Sequence, residues 1–121
     1  MAKTILIVED NALVMKVYHT ALASLGCAIV QARNAEEALD EARRAKPDVV
    51  VMDIMLPGVS GLDLARQLKA DPELKAIPVI AVTTLAAGEQ AKIKEAGCDA
   101  YLAKPINVDG FVRKVKEYLG T

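Results

Sequence analysis

The chain is poor in aromatic surface. Its 121 residues include no Trp, one Phe and three Tyr. A platform of rings on which unpaired bases could stack is therefore excluded. Charge bias is missing as well. Fifteen basic and 16 acidic side chains leave a formal net charge of −1, with no long run of either sign. The basic footprint of a nucleic-acid binder is absent, so no direct DNA binding is expected. No apolar run is long enough to cross a bilayer, and no basic start followed by an apolar stretch marks a signal peptide. A cytoplasmic protein without membrane association is expected. The two cysteines, Cys27 and Cys98, have no CxxC spacing. They read as reduced small hydrophobes near the core, not as a zinc or redox pair.

Aliphatic residues are plentiful. Hydrophobic residues make up 53% of the chain, enough to bury one core and to argue against disorder. They fall into five strand-like runs alternating with five helix-like runs. Thr4-Ile5-Leu6-Ile7-Val8 is continuous, as in a strand buried on both faces. Val14, Val17, Tyr18, Ala21, Leu22 and Leu25 then recur at helical spacing, and Gly26 is a natural stop. Met15 is assigned to the outward face with Ala12, Lys16 and His19. Ala28-Ile29-Val30 is a short second strand. Asn34 with Glu37 reads as a capping box opening a helix that Lys46-Pro47 ends. Val49-Val50-Val51-Met52 stops at Asp53. Pro57-Gly58 and Ser60-Gly61 punctuate a loop before a helix carrying Leu62, Ala65 and Leu68. Pro78 to Val82 stops at Thr83. A loop or weak helix from about Ala86 to Ala96 follows, with mobility expected from Leu85 to Gln90. Ala100 to Ala103 is the fifth strand, and Val108, Val112, Val115 and Leu119 mark the last helix. Alternation of this kind predicts right-handed βαβ units and a parallel sheet with helices on both faces.

The polar residues that end those runs carry the chemistry. Glu9-Asp10, Asp53, Thr83 and Lys104 each follow an apolar run, so they would converge on one sheet edge. Two carboxylates about 4 Å apart repel by roughly 4 kcal/mol at an effective dielectric of 20, which a cation would offset. Hard oxygen donors suit Mg²⁺, with Asp10 and Asp53 as direct ligands, Glu9 acting through water and the Met55 carbonyl as a further donor. Asp53, ending in a loop, can attack phosphorus to form an acyl phosphate. Catalysis of that step is mostly positioning and charge compensation, for which Lys104 supplies an ammonium and Thr83 a hydroxyl. Pro105 allows a cis bond after Lys104.

The order -VED-, -VMDIMLPGVSG-, -VTT-, -AYLAKP- resembles the receiver domain of two-component response regulators, the CheY-like group. The likeness runs from about Thr4 to Leu119. The stretches -ILIVEDN- and -GCDAYLAKPI- look most like single-domain DivK-type regulators. The resemblance implies a flavodoxin-like (βα)5 sandwich with sheet order 2-1-3-4-5, one receiver domain over residues 1–121. It implies that Asp53 takes its phosphoryl group from a phosphohistidine on a histidine kinase or phosphotransfer protein. It also implies a switch in which Thr83 turns toward the phosphoryl group, Tyr101 swings inward, and the face of the fourth helix, fifth strand and fifth helix changes for a downstream protein target. Such a chain is no ordinary enzyme; its chemistry is its own phosphorylation and slow autodephosphorylation. In receivers the outward face of the first helix and the Pro105 loop dock the phosphodonor, which would place Met15 on the kinase. A stand-alone monomer is expected, with dimerisation on activation and a receiver excised from a larger regulator or hybrid kinase as alternatives.

Departures from the pattern carry expectations of their own. Thr84 stands where the family usually has a small residue, and its bulk narrows access to Asp53. Met55 and Leu85 are apolar where an attacking water would be oriented, which predicts a long-lived phosphoryl state. There are two rivals, the first also using Mg²⁺ and a strand-end Asp, the second sharing the fold. A haloacid-dehalogenase-type phosphatase wants a second Asp two residues after the nucleophile, and Asp53-Ile54-Met55 lacks it. A flavin binder wants a Ser/Thr-rich loop after the first strand, where Glu9-Asp10-Asn11 presents negative charge.

Overall fold

Each apolar, β-branched run forms a strand, and a short polar side chain starts nearly every helix. In the computed structural model, which describes residues 3–56, 58, 60–84 and 90–120, the strands are β1 (Thr4–Val8), β2 (Ala28–Ala32), β3 (Val49–Asp53), β4 (Val79–Thr83) and β5 (Ala100–Ala103). The helices between and after them are α1 (Ala12–Ala23), α2 (Ala35–Ala45), α3 (Gly61–Ala70), α4 (Gln90–Glu95) and α5 (Val108–Leu119). Asn11, Asn34, Ser60 and Asn107 cap α1, α2, α3 and α5, each side-chain oxygen accepting a backbone N–H of the first turn. Glu37 N–H donates to Asn34 Oδ1 at 2.9 Å, the forward half of the expected capping box, while the Glu37 carboxylate reaches back to Arg33 N–H at 3.3 Å. Lys46 closes α2 in the left-handed region (φ 45°).

All strand pairs are parallel, in the order β2-β1-β3-β4-β5. Chain direction across the sheet reverses between β1 and β3, and the crevice outside their carboxyl ends is where this architecture places ligands. Val8 pairs with Met52 in register, so Glu9 and Asp53 leave adjacent strands at the same level.

Successive strand residues feed two cores, one on each side of the sheet. Leu6, Val8, Val50 and Met52 pack on α2 and α3; Ile5, Ile7, Val49 and Val51 pack on α1 and α5. At the amino-terminal edge of the sheet Lys69 acts as a pin. Its ammonium donates to Asp99 Oδ2 and to the Ile77 carbonyl, both at 2.9 Å. Asp99 Oδ2 also accepts Val79 N–H, and the Asp99 carbonyl accepts the Tyr118 hydroxyl.

Two helical faces are rotated from their expected positions. Met15 faces inward (6% exposed) with Tyr18 and Leu22, whereas Leu13 and Val17 are 76% and 50% exposed. The inner face is set by α5, where Phe111 stacks on Tyr18 with ring centroids 5.0 Å apart. On α5 itself Phe111 takes the inner position and Val108 is exposed. His19, expected to face solvent, is half-buried and pairs through Nδ1 with Gln31 Nε2 at 2.8 Å. α1 ends at Ala23, ahead of Leu25, and β2 runs on to Ala32. α4 begins at Gln90; the mobility expected from Leu85 falls largely on residues outside the described ones.

Candidate phosphoryl-acceptor site

Asp53 is the last residue of β3 and is buried. Both of its carboxylate oxygens are engaged. Oδ1 accepts the Met55 backbone N–H at 2.8 Å, and Oδ2 accepts the Lys104 ammonium. Lys104 is held at its backbone, where its N–H donates to the Thr83 carbonyl at 2.8 Å, and its bond to Pro105 is cis. Thr83 ends β4, buried beside these groups in the sheet; Thr84 is exposed. Strand ends therefore bring Asp53, Thr83 and Lys104 to one rim.

Gly61 sets the position of the loop that follows Asp53. Its N–H donates to the Ile54 carbonyl at 2.8 Å. A Cβ here would lie 2.5 Å from the Asp53 carbonyl oxygen and 2.7 Å from Ile54 Cα. Only glycine lets α3 begin this close to the backbone of Asp53. The sequence marked Gly61 as loop punctuation; the tightness of the contact is tertiary and has no local signal.

The acids do not all gather. Glu9 is buried, its Oε1 accepting Asn11 N–H at 3.3 Å and its Oε2 without a partner among the described residues. Asp10 is exposed and lines a groove with Lys16, His19 and Arg33 between α1 and β2. Among the described residues no three acidic, His or Cys side chains stand close enough to hold a metal. In this structure Asp10 stands apart from Glu9 and Asp53. Glu9 lines the same groove, and without a cation mutual repulsion keeps a third carboxylate out.

Electrostatics divide the remaining pair. Burial, with the neighbouring Asp53 carboxylate, pushes Glu9 up to about 8. Burial also works against ionisation of Asp53, but the Glu9 carboxyl, Lys104 and the Met55 N–H together outweigh it and hold Asp53 below the usual range. The proton of the pair therefore sits on Glu9 and the charge on Asp53. Glu9 Oε2, buried with no partner among the described residues, and the ionised Asp53 beside it are a pair of oxygen donors that fits a hard divalent cation, which would take the place of the Glu9 proton. Met55 itself projects into solvent. Tyr101 is 39% exposed on β5 and lines a groove of about 510 Å³ with Gln90, Lys94, Lys114 and Tyr118.

Residues 5–116 match the family described as the response regulator receiver domain. The chain is 48% identical over 121 residues to the polar-differentiation response regulator DivK of Brucella anthropi, covering 99% of this chain and 98% of that one. A putative response regulator from Chloroflexus aurantiacus superposes with a TM-score of 0.94 at 30% identity, with both chains fully covered. The receiver domain of the sensor histidine kinase PA1611 from Pseudomonas aeruginosa, whose structure has magnesium coordinated in the active-site cleft, superposes with a TM-score of 0.90 at 30% identity, again with both chains fully covered.

Proposed function

The chain belongs to the response regulator receiver family, a family of signalling switches rather than of ordinary enzymes, and from that premise we propose that Asp53 is its phosphoryl acceptor. The observation that carries the proposal is Asp53 itself. It is a buried carboxylate kept ionised by an ammonium on one oxygen and a backbone N–H on the other.

The donor is a phosphohistidine on a histidine kinase or phosphotransfer protein. One Asp53 oxygen attacks phosphorus, the bond from phosphorus to the imidazole nitrogen breaks, and that nitrogen keeps the electron pair. Lys104 leaves Asp53 Oδ2 for a phosphoryl oxygen as the new bond forms, so its positive charge follows the charge being transferred. Thr83 turns its hydroxyl to a second phosphoryl oxygen. Glu9, Asp10, Asp53 and the Met55 carbonyl would hold Mg²⁺, Asp10 turning in from solvent, and the bound ion supplies the remaining charge compensation. Tyr101, outward on β5, then moves inward, and the face of α4, β5 and α5 changes for a downstream protein. The element is a two-state one biased by a local charge.

The donor docks on the exposed aliphatic side chains of α1 and the start of α5: Leu13, Val17 and Val108. They replace Met15, which is buried, in that role. The domain works as one unit over residues 1–121. The likeness to the PA1611 receiver supports a second setting, in which the same unit serves within a hybrid kinase. No helix among the described residues is long and apolar enough to cross a membrane.

Incubation with Mg²⁺ and acetyl phosphate, followed by intact mass, tests the assignment. One phosphoryl group is expected, dependent on the metal and absent in Asp53→Asn. Its retention in that variant refutes the site.

A further inference from the structure

Three methionines lie among the described residues, and they differ in access to solvent. Met15 is 6% exposed and Met52 is fully buried, whereas Met55 is 73% exposed. An exposed thioether is open to two-electron oxidants, and one packed in a core is shielded from them. The place of Met55 gives that exposure a consequence. Its N–H donates to Asp53 Oδ1 at 2.8 Å, so its backbone is tied to the Asp53 carboxylate. Its side chain lines a groove of about 370 Å³ that reaches Thr83, with Ile54, Leu62 and Thr84 among the other walls. A thioether is a weak acceptor and gives a water at this mouth no strong partner. A sulfoxide is polar, and its oxygen accepts hydrogen bonds.

We propose that Met55 is an oxidation site for hydrogen peroxide, and that its sulfoxide shortens the life of the phosphoryl group on Asp53. The sulfur lone pair attacks one peroxide oxygen, and the O–O bond breaks with its electron pair on the departing hydroxide. That hydroxide takes the proton of the S–OH group and leaves as water. Sulfur loses two electrons and peroxide gains them. The new oxygen accepts a hydrogen bond from a water attacking phosphorus. As the water oxygen bonds to phosphorus, the bond from phosphorus to Asp53 breaks and the carboxylate keeps the pair. Inorganic phosphate leaves with the oxygen and protons of the water. This rests on the reading of Asp53 as acceptor and adds to it an oxidant-sensitive off-rate. The two thiols stand elsewhere. Cys27 and Cys98 precede β2 and β5, at the edge of the sheet opposite Asp53. Burial pushes the Cys98 thiol up to about 11, away from the reactive thiolate.

The test treats the chain with hydrogen peroxide and maps the added oxygen by peptide mass spectrometry. Treated and untreated chains are then loaded with acetyl phosphate and Mg²⁺, the donor is removed, and decay is followed by intact mass. Met55 takes up oxygen ahead of Met15 and Met52. The phosphoryl group decays about fivefold faster on the oxidised chain, as one hydrogen bond made in the transition state predicts. Methionine sulfoxide reductase restores the original rate. In Met55→Leu, treated and untreated protein decay alike. Oxidation of Met15 or Met52 ahead of Met55, decay no faster after treatment, a treated chain that no longer loads, or the same acceleration in Met55→Leu overturns the assignment alone. An untreated chain that takes no phosphoryl group on Asp53 overturns the underlying reading instead, and the peptide map still decides whether Met55 is the oxidation site.

Discussion

A matched pair of glycine-to-alanine substitutions tests how Asp53 is held. In Gly61→Ala the new methyl meets the Asp53 carbonyl oxygen at 2.5 Å, Ile54 Cα at 2.7 Å and the Asp53 carbonyl carbon at 3.2 Å. All three are backbone atoms and cannot rotate away. Relief requires the start of α3 to move outward by about half an ångström or more, stretching the bond from Gly61 N–H to the Ile54 carbonyl. Overpacking of this kind costs about 1–3 kcal/mol, and a weakened hydrogen bond about 1 kcal/mol more. Lower chain entropy in the unfolded state returns about 0.5–1 kcal/mol. The net expectation is a loss of about 2 kcal/mol. In Gly110→Ala, in the first turn of α5, the methyl meets only Asn107 side-chain atoms at 3.7 and 3.8 Å, ordinary contact distances. Only the entropy gain remains there, so a gain of up to about 1 kcal/mol is expected. Urea unfolding at fixed pH measures both. Because the push at Gly61 falls on the backbone of Asp53, acceptance from acetyl phosphate should also drop by about tenfold or more in Gly61→Ala and stay at the wild-type rate in Gly110→Ala. A Gly61→Ala protein as stable as wild type, accepting phosphoryl groups at the wild-type rate, would refute the reasoning.

Glu9 should make stability depend on pH in buffer free of divalent cations. The folded chain keeps the Glu9 proton between an ordinary 4.5 and about 8, where the unfolded chain has lost it. Stability therefore falls as pH rises through that window, by at most about 1.4 kcal/mol per pH unit for one proton. Denaturation of Glu9→Gln should remove this slope, and a persistent slope would assign it elsewhere. Asp53 shifts the other way and acts only below its ordinary 3.8, outside the window. Val17→Lys should slow transfer from a phosphohistidine protein by about tenfold while leaving acetyl phosphate kinetics unchanged, since Val17 lies on an exposed face; equal effects on both donors would remove α1 from the docking surface. Met55→Asn should shorten the phosphoryl lifetime several-fold by giving water a polar partner. An unchanged decay rate measured by mass spectrometry would dismiss Met55 as the cause of slow hydrolysis.

Most of the fold is legible in the chain because its signals agree. Strands buried on both faces give unbroken aliphatic runs, and the caps Asn34 and Ser60 stand where they are needed. The inner face of α1 is not legible. Leu13, Val14, Met15 and Val17 put aliphatic side chains all round the first turns, so periodicity alone cannot choose among them. The choice is made by Phe111, distant in sequence, which meets Tyr18. The surplus aliphatics Leu13 and Val17 are left in solvent. At the site, strand ends correctly forecast that Asp53, Thr83 and Lys104 share a rim. The directions of two consecutive acids do not follow from spacing, which is why Glu9 enters the interior and Asp10 does not.

Lys69 gives the sheet a fulcrum. By tying the beginnings of β4 and β5 to α3, and through Asp99 to α5, it immobilises one extremity of both strands. Any displacement begun at Thr83 or Lys104 must then fade toward that anchorage. The proposed switch would therefore act at the opposite extremity, where Thr83 and Lys104 stand.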